Sequence, residues 1–374
     1  MRNKILTIVL TSISIIVIAF IIFLSVVVVK RKMEKYEDDF KYLIGESNKV
    51  ILFIGDGMGE NHIQNAEMYL EKDLFFTTFE KSGFVSTHST DLLGPTDSAA
   101  AASAMASGRK FNNGEIGTHN GKLIKNISEL TKANELGVGI VTTDLLCGAT
   151  PSAFSAHAKS RNDAEDIIMD QSKSNVDLFL GAGRDEYLKY QTYFEQNDYD
   201  FVTSYSSLKT TNKKVIGTFK KINNYSPEND LPTLPILTEY AIEYMEQNYS
   251  NGYFLMIEGA HIDKKSHSNE IISMIEYLDE FNNSIKVAYD KLSSFDDVTI
   301  IVTADHETGN LQLASSKDKI NDELYLSTNH TSKDIKYFIY SKNEPLKRIN
   351  EKIDNTDIYM IIKQLLSLKE TIWA

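Results

Sequence analysis

From about residue 48 onward, apolar runs of strand length alternate with helical patterns. The clearest runs are KVILFI at 49–54, VGIVTT at 138–143, DLFL at 177–180, YFLMI at 253–257, VTIIVT at 298–303 and KYFIY at 336–340. They are nearly continuous in apolar residues, the pattern of strands buried on both faces of a parallel sheet. Between them, 126–136, 161–174 and 233–249 carry helical patterns. In 270–294, Ile271, Ile275, Leu278, Phe281, Ile285, Ala288 and Leu292 recur at steps of three or four and form one apolar stripe. The alternation predicts one α/β domain, with a central, largely parallel β-sheet flanked by helices on both faces. Residues 191–230, rich in Tyr, Asn, Ser and Lys, read as a peripheral segment.

Two stretches break this pattern. Residues 5–29 (ILTIVLTSISIIVIAFIIFLSVVVV) contain no charge, and 25 helical residues span roughly 38 Å, enough to cross a bilayer. A cleaved signal peptide has a shorter apolar core and an Ala-x-Ala-like site. The expectation is therefore an N-terminal transmembrane helix: a membrane anchor over 1–32, a charged juxtamembrane linker over 33–47 and the α/β domain over 48–374. Basic residues flank both ends of the helix, and the larger cluster, Lys30-Arg31-Lys32, mildly favours a cytoplasmic C-terminal side. The second stretch is GPTDSAAAASAMASG at 94–108. Alanine favours a helix, yet one this slim buries little apolar area. Thr96, Asp97 or Ser98 can cap it. Ser98 would also stand where a helix N-terminus faces an anion.

Composition excludes some partners. The net charge of −13 argues against nucleic acid, whose phosphate backbone requires basic stripes. Cys147 is the single cysteine, so no intrachain disulfide exists.

In open α/β sheets, function gathers at the carboxyl ends of strands. The first run leads into Gly55-Asp56-Gly57, and the second, after a short loop, into Gly148-Ala149-Thr150. YFLMI leads into Glu258, Asp263 and His267, and VTIIVT into Asp305-His306. Each has a plain alternative: a turn around Asp56, a capping carboxylate with a surface histidine at Asp263 and His267, a structural histidine at His330. Together they are four carboxylates, three histidines and a threonine hydroxyl, more than one metal needs. Histidine mixed with carboxylate suits Zn²⁺, and oxygen alone suits Mg²⁺. A serine hydroxyl becomes a nucleophile when a base or metal lowers its pKa, and Ser98 lies at the start of the Ala-rich helix.

The segments FIGDGMGENH, GPTDSAAAASAMASGRK, GATPSAFSAHAKSR, MIEGAHIDKKSH, TADHETG and NHTSKD, in this order, resemble the alkaline phosphatase family. The resemblance runs from Val50 to about Tyr340. It implies hydrolysis of phosphate monoesters through a phosphoserine on Ser98, with two zinc ions and one magnesium ion. Asp263, His267 and His330 match the ligands of one zinc. Asp56, Asp305 and His306 match those of the zinc that holds the Ser98 oxygen. Asp56, Thr150 and Glu258 match the magnesium site. Arg161 matches the guanidinium that grips phosphate, and Lys264 could reach phosphate through water. Gly148 departs from the pattern, standing where many members carry Asp or His beside the magnesium. The expected partners are small-molecule phosphate monoesters, the membrane and a second copy in a homodimer. Because the family generally works outside the cytoplasm, the resemblance places the anchored catalytic domain there, against the charge cluster at 30–32. Two alternatives are a phosphodiesterase on the same scaffold and a catalytically degenerate, membrane-anchored protein that binds metal or phosphate.

Overall fold

All six apolar runs become strands of one sheet in the computed structural model, which describes residues 17–20, 23–25, 47–91, 94–209, 211–224, 230–342 and 349–370. The strands are β1 (Lys49–Gly55), β2 (Lys81–Ser86), β3 (Gly137–Leu145), β4 (Leu178–Ala182), β5 (Tyr199–Val202), β6 (Lys214–Phe219), β7 (Tyr253–Gly259), β8 (Val298–Thr303), β9 (Ile335–Ser341) and β10 (Lys352–Asp354). Their order across the sheet is β10-β2-β9-β8-β1-β7-β3-β4-β6-β5. Only β9 runs against its neighbours, and every other pairing is parallel. The central strands β1, β7 and β8 are buried at every position, as their unbroken apolar sequences require. The 191–230 stretch supplies β5 and β6 at one edge of the sheet.

Helices cover both faces. Phe53 meets Phe281 of the Ile271–Leu292 helix edge-on at 5.9 Å. Phe254 pairs in register with Val50, three residues from Phe53, so side-chain alternation turns it to the opposite face. There it meets Phe154, just past the short Ala149–Ala153 helix, at 6.0 Å. The Leu234–Asn248 helix packs beside Ile271–Leu292 on the first face. On the second, the Ser98–Ser107 helix packs against both Ala149–Ala153 and Asn355–Leu365. Every residue of it from Ser98 to Ala106 is buried, so its slimness is what lets it fit between neighbours.

Register brings the strand ends level. Ile54 pairs with both Glu258 and Thr303, and Glu258 pairs with Thr142. The residues just beyond β1, β3, β7 and β8 therefore leave the sheet along one edge.

The structure corrects the expectation of a transmembrane helix. Among the described residues, no helix is long and apolar enough to cross a membrane. Within 5–29 the described residues are 17–20 and 23–25, and both pieces are helical. The rest of that segment, and nearly all of the 33–47 linker, lie outside the described residues. The membrane as a partner and the anchored, extracytoplasmic location rested on that helix and fall with it.

Candidate active site

Asp97 caps the Ser98–Ser107 helix, its Oδ1 accepting from Ala100 N–H at 2.9 Å. That frees Ser98, one residue on, from capping. Its buried hydroxyl lies 3.2 Å from His306 Nε2. The state of that ring follows from Thr308. The Thr308 hydroxyl donates its one proton to Asp263 Oδ1 at 2.5 Å, so His306 Nδ1–H must donate to Thr308 Oγ1, at 3.2 Å. In the neutral ring it is then His306 Nε2 that carries the lone pair able to accept from Ser98 or to bind a cation.

Two groups of ligand-type side chains surround this pair. In one, Asp56, Asp305 and His306 are all buried and offer atoms within 4.8 Å of one another. His306 Nε2 is 3.6 Å from Asp56 Oδ1 and 3.3 Å from Asp305 Oδ2. Those same two carboxylate oxygens have no hydrogen-bond partner. Burial first, then the charges of Asp305, Asp263 and Glu258, push the Asp56 carboxyl well above its usual range. Crowded carboxylates with orphaned oxygens are what a cation would neutralise. Gly57 makes the crowding possible: its φ is +71, and a Cβ there would lie 2.8 Å from Asp263 Oδ1.

Asp263, His267 and His330 form the second group, again within 4.8 Å. Each histidine has its Nδ1 at a backbone carbonyl, His267 at Thr328 O (2.5 Å) and His330 at Thr96 O (2.9 Å). With Nδ1 anchored in this way, the two rings turn their Nε2 atoms toward each other, 3.1 Å apart. That is the arrangement of histidines prepared to share a metal ion. Hydrogen bonding to Asp263 raises the pKa of His267, whereas burial and the nearby His306 lower that of His330. Burial opposes ionising Asp263, but His267, His306 and Thr308 overcome it and hold its carboxyl well below the usual range.

Glu258 lies at the next strand end. Burial, then the charge of Asp144, pushes its pKa up to about 8. Thr142, its register partner, donates a hydroxyl to Glu258 Oε2. Thr150 faces the same carboxyl, and its buried hydroxyl lacks a well-aligned partner. Arg161 Nη1 donates to Asp97 Oδ2 at 3.0 Å, which ties the guanidinium to the residue beside Ser98. Lys264 is ion-paired with Asp144. The donor sets thus fit cations: mixed nitrogen and oxygen in the two groups, oxygen alone around Glu258 and Thr150. A cavity of about 720 Å³ lined by Lys125, His157, Asp170 and Lys214 contains none of these residues.

Residues 47–363 match the family model described as alkaline phosphatase. The chain belongs to the alkaline phosphatase family. It is 31% identical over 299 residues to alkaline phosphatase 4 of Bacillus subtilis (strain 168), covering 73% of this chain and 64% of that one. Alkaline phosphatase 3 of the same organism is 30% identical over 296 residues, covering 72% and 63%. The chain thus spans less than two thirds of the length of these relatives. Among solved structures, the alkaline phosphatase of the Antarctic bacterium TAB5 superposes with a TM-score of 0.76 at 26% identity, covering 87% of this chain and 100% of that one.

Three participants were not visible in the sequence. Thr308 joins the two ligand groups, Thr142 holds Glu258, and Asp144 bears on both Glu258 and Lys264. Thr308 had one available signal, its position two residues beyond His306.

Proposed function

We propose that this alkaline phosphatase family member hydrolyses phosphate monoesters through a phosphoserine on Ser98, with residues 48–374 as the catalytic unit. The observation that carries the reading is the Ser98 hydroxyl, 3.2 Å from His306 Nε2 and enclosed by the two ligand groups. Asp56, Asp305 and His306 would hold one zinc beside the Ser98 oxygen, and Asp263, His267 and His330 the other. Asp56, Thr150 and Glu258 would hold magnesium. When bound, the cations would supply charge neutralisation for the attacking and leaving oxygens of the displacement.

The chain's own groups account for the rest. Ser98 Oγ forms a bond to phosphorus as the ester P–O bond breaks, and the alcohol leaves. Water then displaces Ser98 Oγ and releases inorganic phosphate; two in-line displacements give retention at phosphorus. Arg161, oriented by Asp97, offers a planar fork to two phosphate oxygens, a geometry lysine cannot copy. Positioning and electrostatics carry most of the catalysis in such a transfer.

The test is phosphate release from an aryl phosphate by the full chain, with and without chelator. Chelator-sensitive release at alkaline pH is expected. Ser98→Ala should lose the acid-trapped phosphoenzyme and at least about 10³-fold in kcat while retaining most of its metal. Absence of chelator-sensitive release, or equal turnover in Ser98→Ala, would reject the reading.

A further inference from the structure

Asp144 directs a carboxylate at the Glu258 corner without a part in the scheme above. The register of β3 against β4 shifts between Val141 and Leu145, an irregularity of the kind that re-aims side chains at a strand end. Asp144 N–H donates to Thr142 Oγ1 at 2.9 Å, and the Thr142 hydroxyl donates onward to Glu258. The chain then turns tightly, with Gly148 N–H donating to Leu145 O at 2.7 Å, and the helix carrying Thr150 begins. A Cβ at residue 148 would lie 3.1 Å from Asp144 Oδ2 and 2.9 Å from Leu145 O. Gly148 has an ordinary φ of −61, so it is the space, not the backbone conformation, that excludes a side chain. The other Asp144 oxygen, Oδ1, is fixed by Lys264 Nζ. Around Glu258, Thr150 is 1% exposed and Asp56 8%, and neither Thr150 Oγ1 nor Asp56 Oδ1 has a well-aligned hydrogen-bond partner.

We propose that Asp144 is a positioning residue for a magnesium ion held by Asp56, Thr150 and Glu258, occupying the space cleared by Gly148 and orienting the ion's water shell. Mg²⁺ binds oxygen and keeps several waters, and a nearby carboxylate is a natural acceptor for those waters. Lys264 competes for one oxygen of Asp144, and the other is turned toward residue 148. The inference rests on the proposed function for the presence of the ion.

The experiment is calorimetric titration of Mg²⁺ into the zinc-loaded full chain. Asp144→Asn should weaken Mg²⁺ binding by about 10–100-fold with zinc content unchanged. Lys264→Met should keep or tighten Mg²⁺ binding, because it removes a cation competing for Asp144. If Asp144 served only to pair with Lys264, the two variants would lose affinity together or not at all, and either result overturns the inference. Uptake of Mg²⁺ by wild type that Asp144→Asn leaves within about twofold overturns the role of Asp144 alone. No uptake by wild type overturns the magnesium site as well, and leaves the chelator-sensitive, Ser98-dependent hydrolysis to be judged separately.

Discussion

Thr308 has one hydroxyl proton and two neighbours that depend on where it goes. Donating to Asp263 obliges the oxygen to accept from His306, which fixes the tautomer that leaves Nε2 bare toward Ser98. Thr308→Val keeps the shape and removes both bonds. We expect it to weaken zinc binding by about 10–100-fold, read by competition with a chelator of known affinity; unchanged affinity would show that the tautomer is set elsewhere. Asp56, Glu258, Asp305 and His306 were legible because each stands within three residues of the end of an apolar run, where side chains leave the sheet. Arg161 became a candidate only through the family resemblance, and His330 carried little weight before it. Thr308 and Asp144 were not legible, since their roles depend on which atom of a distant residue they face, and periodicity does not encode that. Ser98 lay between: a capping residue by local rules, it was released once Asp97 took the cap.

At the scale of elements, the Ser98–Ser107 helix shows why small residues were required. Ala102 is fully buried, and the helix is pressed between Ala149–Ala153 and Asn355–Leu365. Ala102→Leu should cost about 1–3 kcal/mol through overpacking, measured as a lower urea midpoint. An unchanged midpoint would mean that the layers have slack. The apolar runs located the central strands to within one or two residues, because burial on both faces leaves little room for polar side chains. The strands missed, β2, β5, β6 and β10, lie in the outer half-sheets; β2 and β5 are only partly buried, so their sequences carry too little apolar signal. The expectation for 5–29 rested on hydropathy and length, and most of that stretch lies outside the described residues.

The whole molecule responds to pH at a place remote from Ser98. His157 Nδ1 lies 3.3 Å from Asp170 Oδ2, and Nε2 lies 3.5 Å from Glu129 Oε2. Burial opposes charging the ring, but the two carboxylates outweigh it and push the pKa up to about 10. A raised pKa contributes stability that is complete below the unfolded value of about 6.5 and is lost as pH rises through the folded one. Both carboxylates are half-exposed, which limits the gain to roughly 1–2 kcal/mol. His157→Gln should therefore lower the urea midpoint at about pH 6 and match wild type more closely at about pH 10.5; a gap of equal size at both would contradict the charge assignment. The order of strands has a different consequence, for synthesis. β1 sits between β7 and β8, whose first residues are Tyr253 and Val298. A ribosome adding about 5–20 residues per second needs roughly 10–40 s to make the intervening chain. Through that interval KVILFIG has no sheet neighbour, so the nascent chain must be kept from aggregating around its own first strand.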